Sequence, residues 1–351
     1  MALGLFVLAC ASGAPEPAST PIARRHEPST PIAFPPTGPI ALRPAKAPPE
    51  GTLYQILVDY QGRTEVALEG PGTQPDPEMV DEKTSLELYY RQMPVATPSP
   101  DELASTLVLE ALKQRTRLNP PGKERILEIG DDRLRTQMDD KVDTDLRGAQ
   151  PKQNLTPRML LGKPFALLVD DASGNPQSVT VRGLPPAKKM LASLPLRESL
   201  GYLQIAYPDR PVSAGDTWHA KRFFPNPIGK LGLAVDVEMR LVGFERVGDA
   251  PCAHVVLRSR VDASKVPSEI GFQFEEVHYQ LSGDAWLDIA TGEVASARIE
   301  DVAAIAYDKS AEAIPARARM RYEGRSELKR LDQMPPETTW ADGSKRFSAV
   351  K

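Results

Sequence analysis

Ala316-Arg317-Ala318-Arg319-Met320-Arg321-Tyr322-Glu323-Gly324-Arg325-Ser326-Glu327-Leu328-Lys329 alternates without a break. Ala316, Ala318, Met320, Tyr322, Ser326 and Leu328 share one parity. Arg317, Arg319, Arg321, Glu323, Arg325, Glu327 and Lys329 share the other. Strand side chains point alternately to two faces, whereas a helix repeats about every 3.6 residues, so only a strand keeps one face apolar here. One face of this strand is packed and the other is solvated.

The same period recurs upstream. Val235, Val237, Met239 and Leu241 alternate with Asp236, Glu238 and Arg240. Ala295, Ala297, Ile299, Ala303, Ile305 and Tyr307 oppose Ser296, Arg298 and Glu300. Turn chemistry separates the runs: Val247-Gly-Asp-Ala-Pro251 between two strands, and a Gly hairpin at Ala290-Thr-Gly-Glu293. Ser282-Gly-Asp284 predicts a bend or bulge. The alternation of Phe272, Phe274, Val277, Tyr279 and Leu281 slips by one at Glu275-Glu276, which predicts a bulge.

Toward the N-terminus, Leu53–Val66, Leu86–Gln92, Leu107–Leu118, Arg125–Gln137, Phe165–Asp170 and Ser178–Arg182 read as strands. Ser99-Pro-Asp-Glu102 fits a capping box with Pro at the first helical position, so a short helical turn running into a strand is expected across 100–116. Residues 185–206 lack alternation and read as helix. The predicted fold is mainly β with minor α: a curved antiparallel sheet or half-barrel carrying one or two packed helices. It spans 52–333, in sub-halves 52–183 and 184–333, with a flexible tail at 334–351.

Residues 11–51 have a different composition. Residues 11–50 hold 11 of the 35 prolines, and Glu16-Pro-Ala-Ser-Thr-Pro-Ile-Ala23 recurs imperfectly as Glu27-Pro-Ser-Thr-Pro-Ile-Ala33. So few large apolar residues cannot offset the ordering entropy, and a disordered spacer reaching about 120 Å is expected. Before it, Met1–Ala9 are apolar or small and lead into Cys10. Val7-Leu8-Ala9-Cys10 resembles the lipobox of bacterial lipoproteins, which implies a signal over 1–10 and Cys10 as the acylated first mature residue. No Lys or Arg precedes the run, and translation is expected to start upstream.

Chemistry is sparse in the sequence. The formal net charge of −4 is spread out and lacks the basic face nucleic acid needs. His26, His219, His254 and His278 are dispersed, so no metal or other cofactor is expected, and the three beyond the spacer read as solvated. No nucleophile elbow, phosphate loop or dinucleotide fingerprint occurs. Asp131-Asp132, Asp139-Asp140, Asp170-Asp171 and Glu275-Glu276 are neighbours that a strand sends to opposite faces. Asp170-Asp-Ala-Ser-Gly-Asn175 reads as a turn and Asp139–Asp145 as a solvated acidic loop. Cys252, the second of two cysteines, is expected to be a buried, inert thiol.

Pro208-Asp-Arg-Pro-Val-Ser-Ala-Gly-Asp-Thr-Trp218 and Gly283-Asp-Ala-Trp-Leu-Asp-Ile-Ala-Thr-Gly292 resemble two signatures of uncharacterised exported bacterial proteins of a domain-of-unknown-function type. The first is a Pro-Val-x-x-Gly-Asp-x-Trp turn and the second a hairpin that follows it. The resemblance covers about 180–310 and implies an exported β-domain without naming an activity. Read physically, Pro211 stiffens the turn, Gly215 permits positive φ, Asp216 caps backbone N–H groups and Trp218 plugs a sheet edge.

The sequence therefore predicts a non-enzymatic envelope lipoprotein, lipid-anchored at the outer membrane and facing the periplasm. Its sheet is expected to bind a lipid or other hydrophobic ligand on the alanine-rich face. The alternatives are an assembly component that binds another envelope protein and, last, a hydrolase.

Overall fold

The structure, a computed structural model, describes residues 34–43, 51–68, 78–95, 102–119, 125–129, 133–147, 164–170, 176–181, 205–223, 234–267, 273–308, 316–335 and 347–348. Strands dominate them and no helix occurs among them. The N-terminal strands are β1 (Thr52–Leu68), β2 (Glu78–Val95), β3 (Glu102–Asn119), β4 (Arg125–Ile129), β5 (Arg133–Met138), β6 (Lys141–Arg147), β7 (Pro164–Asp170) and β8 (Pro176–Val181). The C-terminal ones are β9 (Thr217–Phe223), β10 (Ala234–Val247), β11 (Ala250–Pro267), β12 (Gln273–Asp288), β13 (Val294–Asp308), β14 (Ala316–Leu331) and β15 (Phe347–Ser348).

All belong to one antiparallel sheet ordered β6-β5-β4-β3-β2-β1-β14-β13-β12-β11-β10-β9. Among the described residues no pairing joins β6 to β9, so the path is open. Most neighbours are consecutive in the chain, as short turns dictate. The exception is β1 with β14, which pair from Leu53↔Leu331 to Leu68↔Ala316 and join the two halves of the chain in one sheet. The sheet forks at β3: β7 pairs with Glu102–Val108, β15 with Ala111–Leu112 and β4 with Gln114–Leu118. The expected flexible tail thus contributes a bridge at Phe347–Ser348.

Parity sets the packing as predicted. Ala318, Met320, Tyr322, Ser326 and Leu328 are buried, while Arg319, Arg321, Glu323 and Arg325 are exposed. Buried residues of one face on β1, β2, β3, β7 and β9–β14 form a single core cluster. The register shifts between Phe274 and Glu276, where a bulge was expected.

Several expectations are corrected. The segment 102–119 is all strand, with Ser105, Leu107, Leu109 and Ala111 buried and Ala104, Thr106, Val108 and Glu110 half-buried. Period two beat the capping-box signal because this strand sits mid-sheet between β2 and β7. The expected helix 185–206 lies outside the described residues up to 204, and Ile205–Ala206 are extended and buried. Ser282-Gly-Asp284 pairs without interruption on both sides. Its glycine answers a close approach, since a Cβ there would stand 2.7 Å from the Arg298 carbonyl oxygen. The acidic run 139–145 is a β5–β6 hairpin that turns at Asp139-Asp140, with Asp139 at φ 51°. The packed region also reaches into the expected spacer. Ile40 exchanges two backbone hydrogen bonds with Val212, and Ile40 and Leu42 are buried in the core.

Candidate functional site

Of the residues singled out in sequence, Cys10 lies outside the described residues. Pro211, Gly215, Asp216 and Trp218 form one turn leading into β9. Gly215 has φ 98°, and its N–H donates to the Leu241 carbonyl at 2.7 Å. Asp216 Oδ2 accepts from the Ser213 N–H at 2.9 Å and from Arg210 Nη1 at 3.4 Å. Trp218 Nε1 donates to the Ala206 carbonyl at 2.9 Å, which holds the half-buried indole on β9, the last strand of the path. These residues staple loop to sheet.

Tyr207, just before the first signature, meets the second at one end of the sheet. The Tyr207 hydroxyl donates to the Gly292 carbonyl at 3.1 Å. Beside it, Arg330 Nη1 pairs with buried Asp288 at 2.8 Å, and the Thr52 hydroxyl donates to buried Glu293 at 2.8 Å. Burial holds the Glu293 carboxyl above its usual range and, together with Glu293, pushes the Tyr54 hydroxyl well up. Cys252, free and buried as expected, is pushed up to about 11 by burial and by Asp288, so it is a thiol at neutral pH. Arg330 answers Asp288 and Thr52 answers Glu293 from within the chain, which is the pattern of a structural end-cap.

The solvated face carries the histidines. His278 Nδ1 lies 2.8 Å from Asp262, and His219 lies 3.5 Å from Asp236. His254 departs from the expected free solvation. It is half-buried, stacks on Trp286 at 5.0 Å, and sits between Asp284 at 2.7 Å and Glu245 at 3.2 Å. Trp286 Nε1 also donates to Glu245. Glu275 and Glu276 both face solvent, because the bulge between them cancels the alternation. Among the described residues no cluster of three metal-binding side chains occurs. Two open grooves lie along this face. One of about 560 Å³ is lined by His219, Asp236, Glu238, Arg258 and Arg260, and one of about 310 Å³ by Lys83, Glu300 and Arg325 together with Tyr60, Asp301 and Gly324.

The core face contains what the sequence reading missed. Register aligns Thr84, Tyr60, Gly324, Asp301, Leu281 and Ser259 in one row across β2, β1, β14, β13, β12 and β11. The next row is Glu82, Gly62, Tyr322, Ala303, Tyr279 and Val261. Mostly apolar rows lie beyond this belt in both directions. One contains Leu88, Ile56, Leu328, Ala297, Ala285, Val255 and Leu241, and the other contains Met320, Ile305 and Val277. An otherwise greasy wall is thus crossed by a polar belt at mid-height.

Asp301 is the belt's sharpest feature. It is 5% exposed, and among the described residues nothing hydrogen-bonds or ion-pairs with it. Burial pushes its carboxyl up to about 7. Its Oδ1 fills the space that a Cβ at Gly324 would take, so a side chain at 324 would collide with the acid. Across Gly324, the Tyr60 hydroxyl donates to Glu82, and burial followed by Glu82 pushes that hydroxyl far up. One signal was legible: Asp301 shares parity with Ile299 and Ala303, an acid at an inward position.

No protein-family model and no curated protein matches the chain. Among solved structures, an outer membrane channel from Pseudomonas putida F1 aligns with 82% of this chain and 97% of its own, at 6% identity and a TM-score of 0.21. Pseudomonas aeruginosa OccK7 (OpdD) aligns with 80% of this chain and 100% of its own, at 9% identity and a TM-score of 0.20. Superpositions this poor establish neither a shared fold nor a shared activity. The exposed Arg319, Arg321, Glu323, Arg325, Asp236, Glu238 and Arg240 form a face unlike the apolar band that a transmembrane barrel turns to lipid.

Proposed function

We propose that this chain is a non-enzymatic lipoprotein of the cell envelope, anchored through acylated Cys10 at the outer membrane and facing the periplasm. Its curved sheet binds a lipid or another hydrophobic ligand. The observation that carries this reading is the apolar core face crossed by the belt of Tyr60, Asp301, Tyr279 and Tyr322. Ligand sites are mostly apolar, with a few polar groups that fix orientation. Twisted antiparallel sheets of this many strands curl rather than lie flat, and curling toward the apolar face encloses such a ligand. The charged opposite face supports a domain held in water by a tether rather than one embedded in lipid.

The test is to express the full-length protein in a bacterium with lipoprotein-processing enzymes, purify it from the envelope, and analyse a solvent extract by mass spectrometry. A co-purifying amphiphile at near-stoichiometric amount is expected, along with a diacylglyceryl-modified Cys10 at the mature N-terminus. A protein that carries no apolar molecule and takes up none would overturn the ligand. An unmodified Cys10 would overturn the anchor.

A further inference from the structure

The geometry points to the split between β10 and β11 as a slot for the carboxyl-terminal segment of a partner protein, bound as an added strand. The ladder that joins β10 to β11 stops at Glu238↔Arg258, yet both strands continue. β10 extends back to Ala234 and pairs there with β9, whereas β11 runs on to Pro267. Among the described residues, β11 beyond Arg258 therefore pairs along one edge only, with β12. An unpaired strand edge is a template for another chain. The open groove of about 560 Å³ lies at this split, with Asp236 and Glu238 on one lip and Arg258 and Arg260 on the other. Val261 and Ala263 share the inward parity of buried Ser259 but are only half-buried, so an added strand would complete their cover.

The slot also selects a direction and an end. Its apex is closed, because the Ser259 hydroxyl donates to the Asp236 carbonyl at 2.6 Å and the β10–β11 ladder takes over beyond. A segment lying along β11 has to end there or leave the sheet. β11 runs from the apex outward, so a guest strand antiparallel to it, like the strand pairs around it, enters carboxyl end first. The charge at the apex agrees. Arg258 is exposed and has no ion pair or hydrogen bond among the described residues. Glu238, its register partner, lies 3.9 Å from His219 instead, and Arg260 is held by Asp262 at 2.6 Å. Arg258 is thus the guanidinium open to a terminal carboxylate, a group whose two oxygens match its fork of donors.

Main-chain pairing makes such a site tolerant of side chains, so a generic alternating peptide serves as the probe. Fluorescein-labelled Lys-Val-Thr-Val-Thr-Val is titrated against the full-length protein by fluorescence anisotropy, once with a free carboxyl terminus and once with a terminal amide. The native protein should bind the free acid at least about tenfold tighter than the amide, the scale of one charge-assisted hydrogen-bonded contact. Arg258→Gln should erase that preference while leaving the amide's affinity unchanged, which also reports an intact fold. Hydrogen exchange should slow at amides within 259–264 when the peptide is bound. Equal affinity for both peptides in the native protein, or a preference that survives in Arg258→Gln, overturns the terminal carboxylate as the recognised group. Binding of neither peptide, protection confined to another edge, or edge amides already fully protected without peptide overturns the slot itself.

Discussion

A carboxyl packed among tyrosines, glycine and alanine weakens the fold whenever it is ionised. Burial pushes Asp301 up to about 7, whereas an aspartate in an unfolded chain titrates near about 4. Below that value both states hold the proton. As pH rises through the interval the unfolded chain releases its proton first, so the stability that Asp301 contributes falls until the folded carboxyl also ionises near 7. Asp301→Asn should therefore melt with the native protein at low pH and at a higher temperature above neutrality. The gap should open across that window and amount to a few kcal/mol, on the order of the shift it removes. Glu293, which burial also holds up, stays in both proteins and cancels in the comparison. Circular-dichroism melts at a series of pH values measure the gap, and melts that coincide throughout would contradict the burial of an unmatched acid.

Among elements, what was legible followed the length and purity of the pattern. β14 could be read residue by residue because its parity never breaks and each wrong-face neighbour is charged. β3 was harder, since Ser99-Pro-Asp-Glu102 imitates a helix start and only the sheet's demand for a partner on both edges of Ala104–Val108 settles it. Phe34, Ile40 and Leu42 gave no periodic signal, because isolated apolar residues among prolines look like spacer. Their role depends on a distant strand-like contact at Val212. Leu42 is 1% exposed, so Leu42→Ala should cost about 2–5 kcal/mol, as core truncations do. Chemical denaturation measures this, and a change within about 0.5 kcal/mol, typical of a solvated position, would return 34–43 to the spacer. The motif at 211–218 was read as structure, because Gly215 and Asp216 act through local backbone geometry that a sequence displays.

On the scale of the molecule, the belt was invisible for a different reason. Thr84, Tyr60, Gly324 and Asp301 come from separate parts of the chain, and only the pairing of β1 with β14 brings them into one row. No single strand reveals that its odd polar residue stands beside another's. The charged exterior, by contrast, was readable in every strand, because it is the complement of the apolar parity. Together they describe a sheet with water on one side and, on the other, an apolar wall with one polar level. The most direct measurement is to fill that level. Ala303 sits between Tyr279 and Tyr322 in that level, and Ala303→Phe adds a ring where the proposed ligand would lie. Titrating native and variant proteins with a fluorescent fatty-chain probe should show saturable binding that Ala303→Phe abolishes, with the melting temperature nearly unchanged. Absence of binding by the native protein, with Ala303→Phe destabilised by the roughly 1–3 kcal/mol of an overpacked core, would show that side chains already fill the face and would contradict the account.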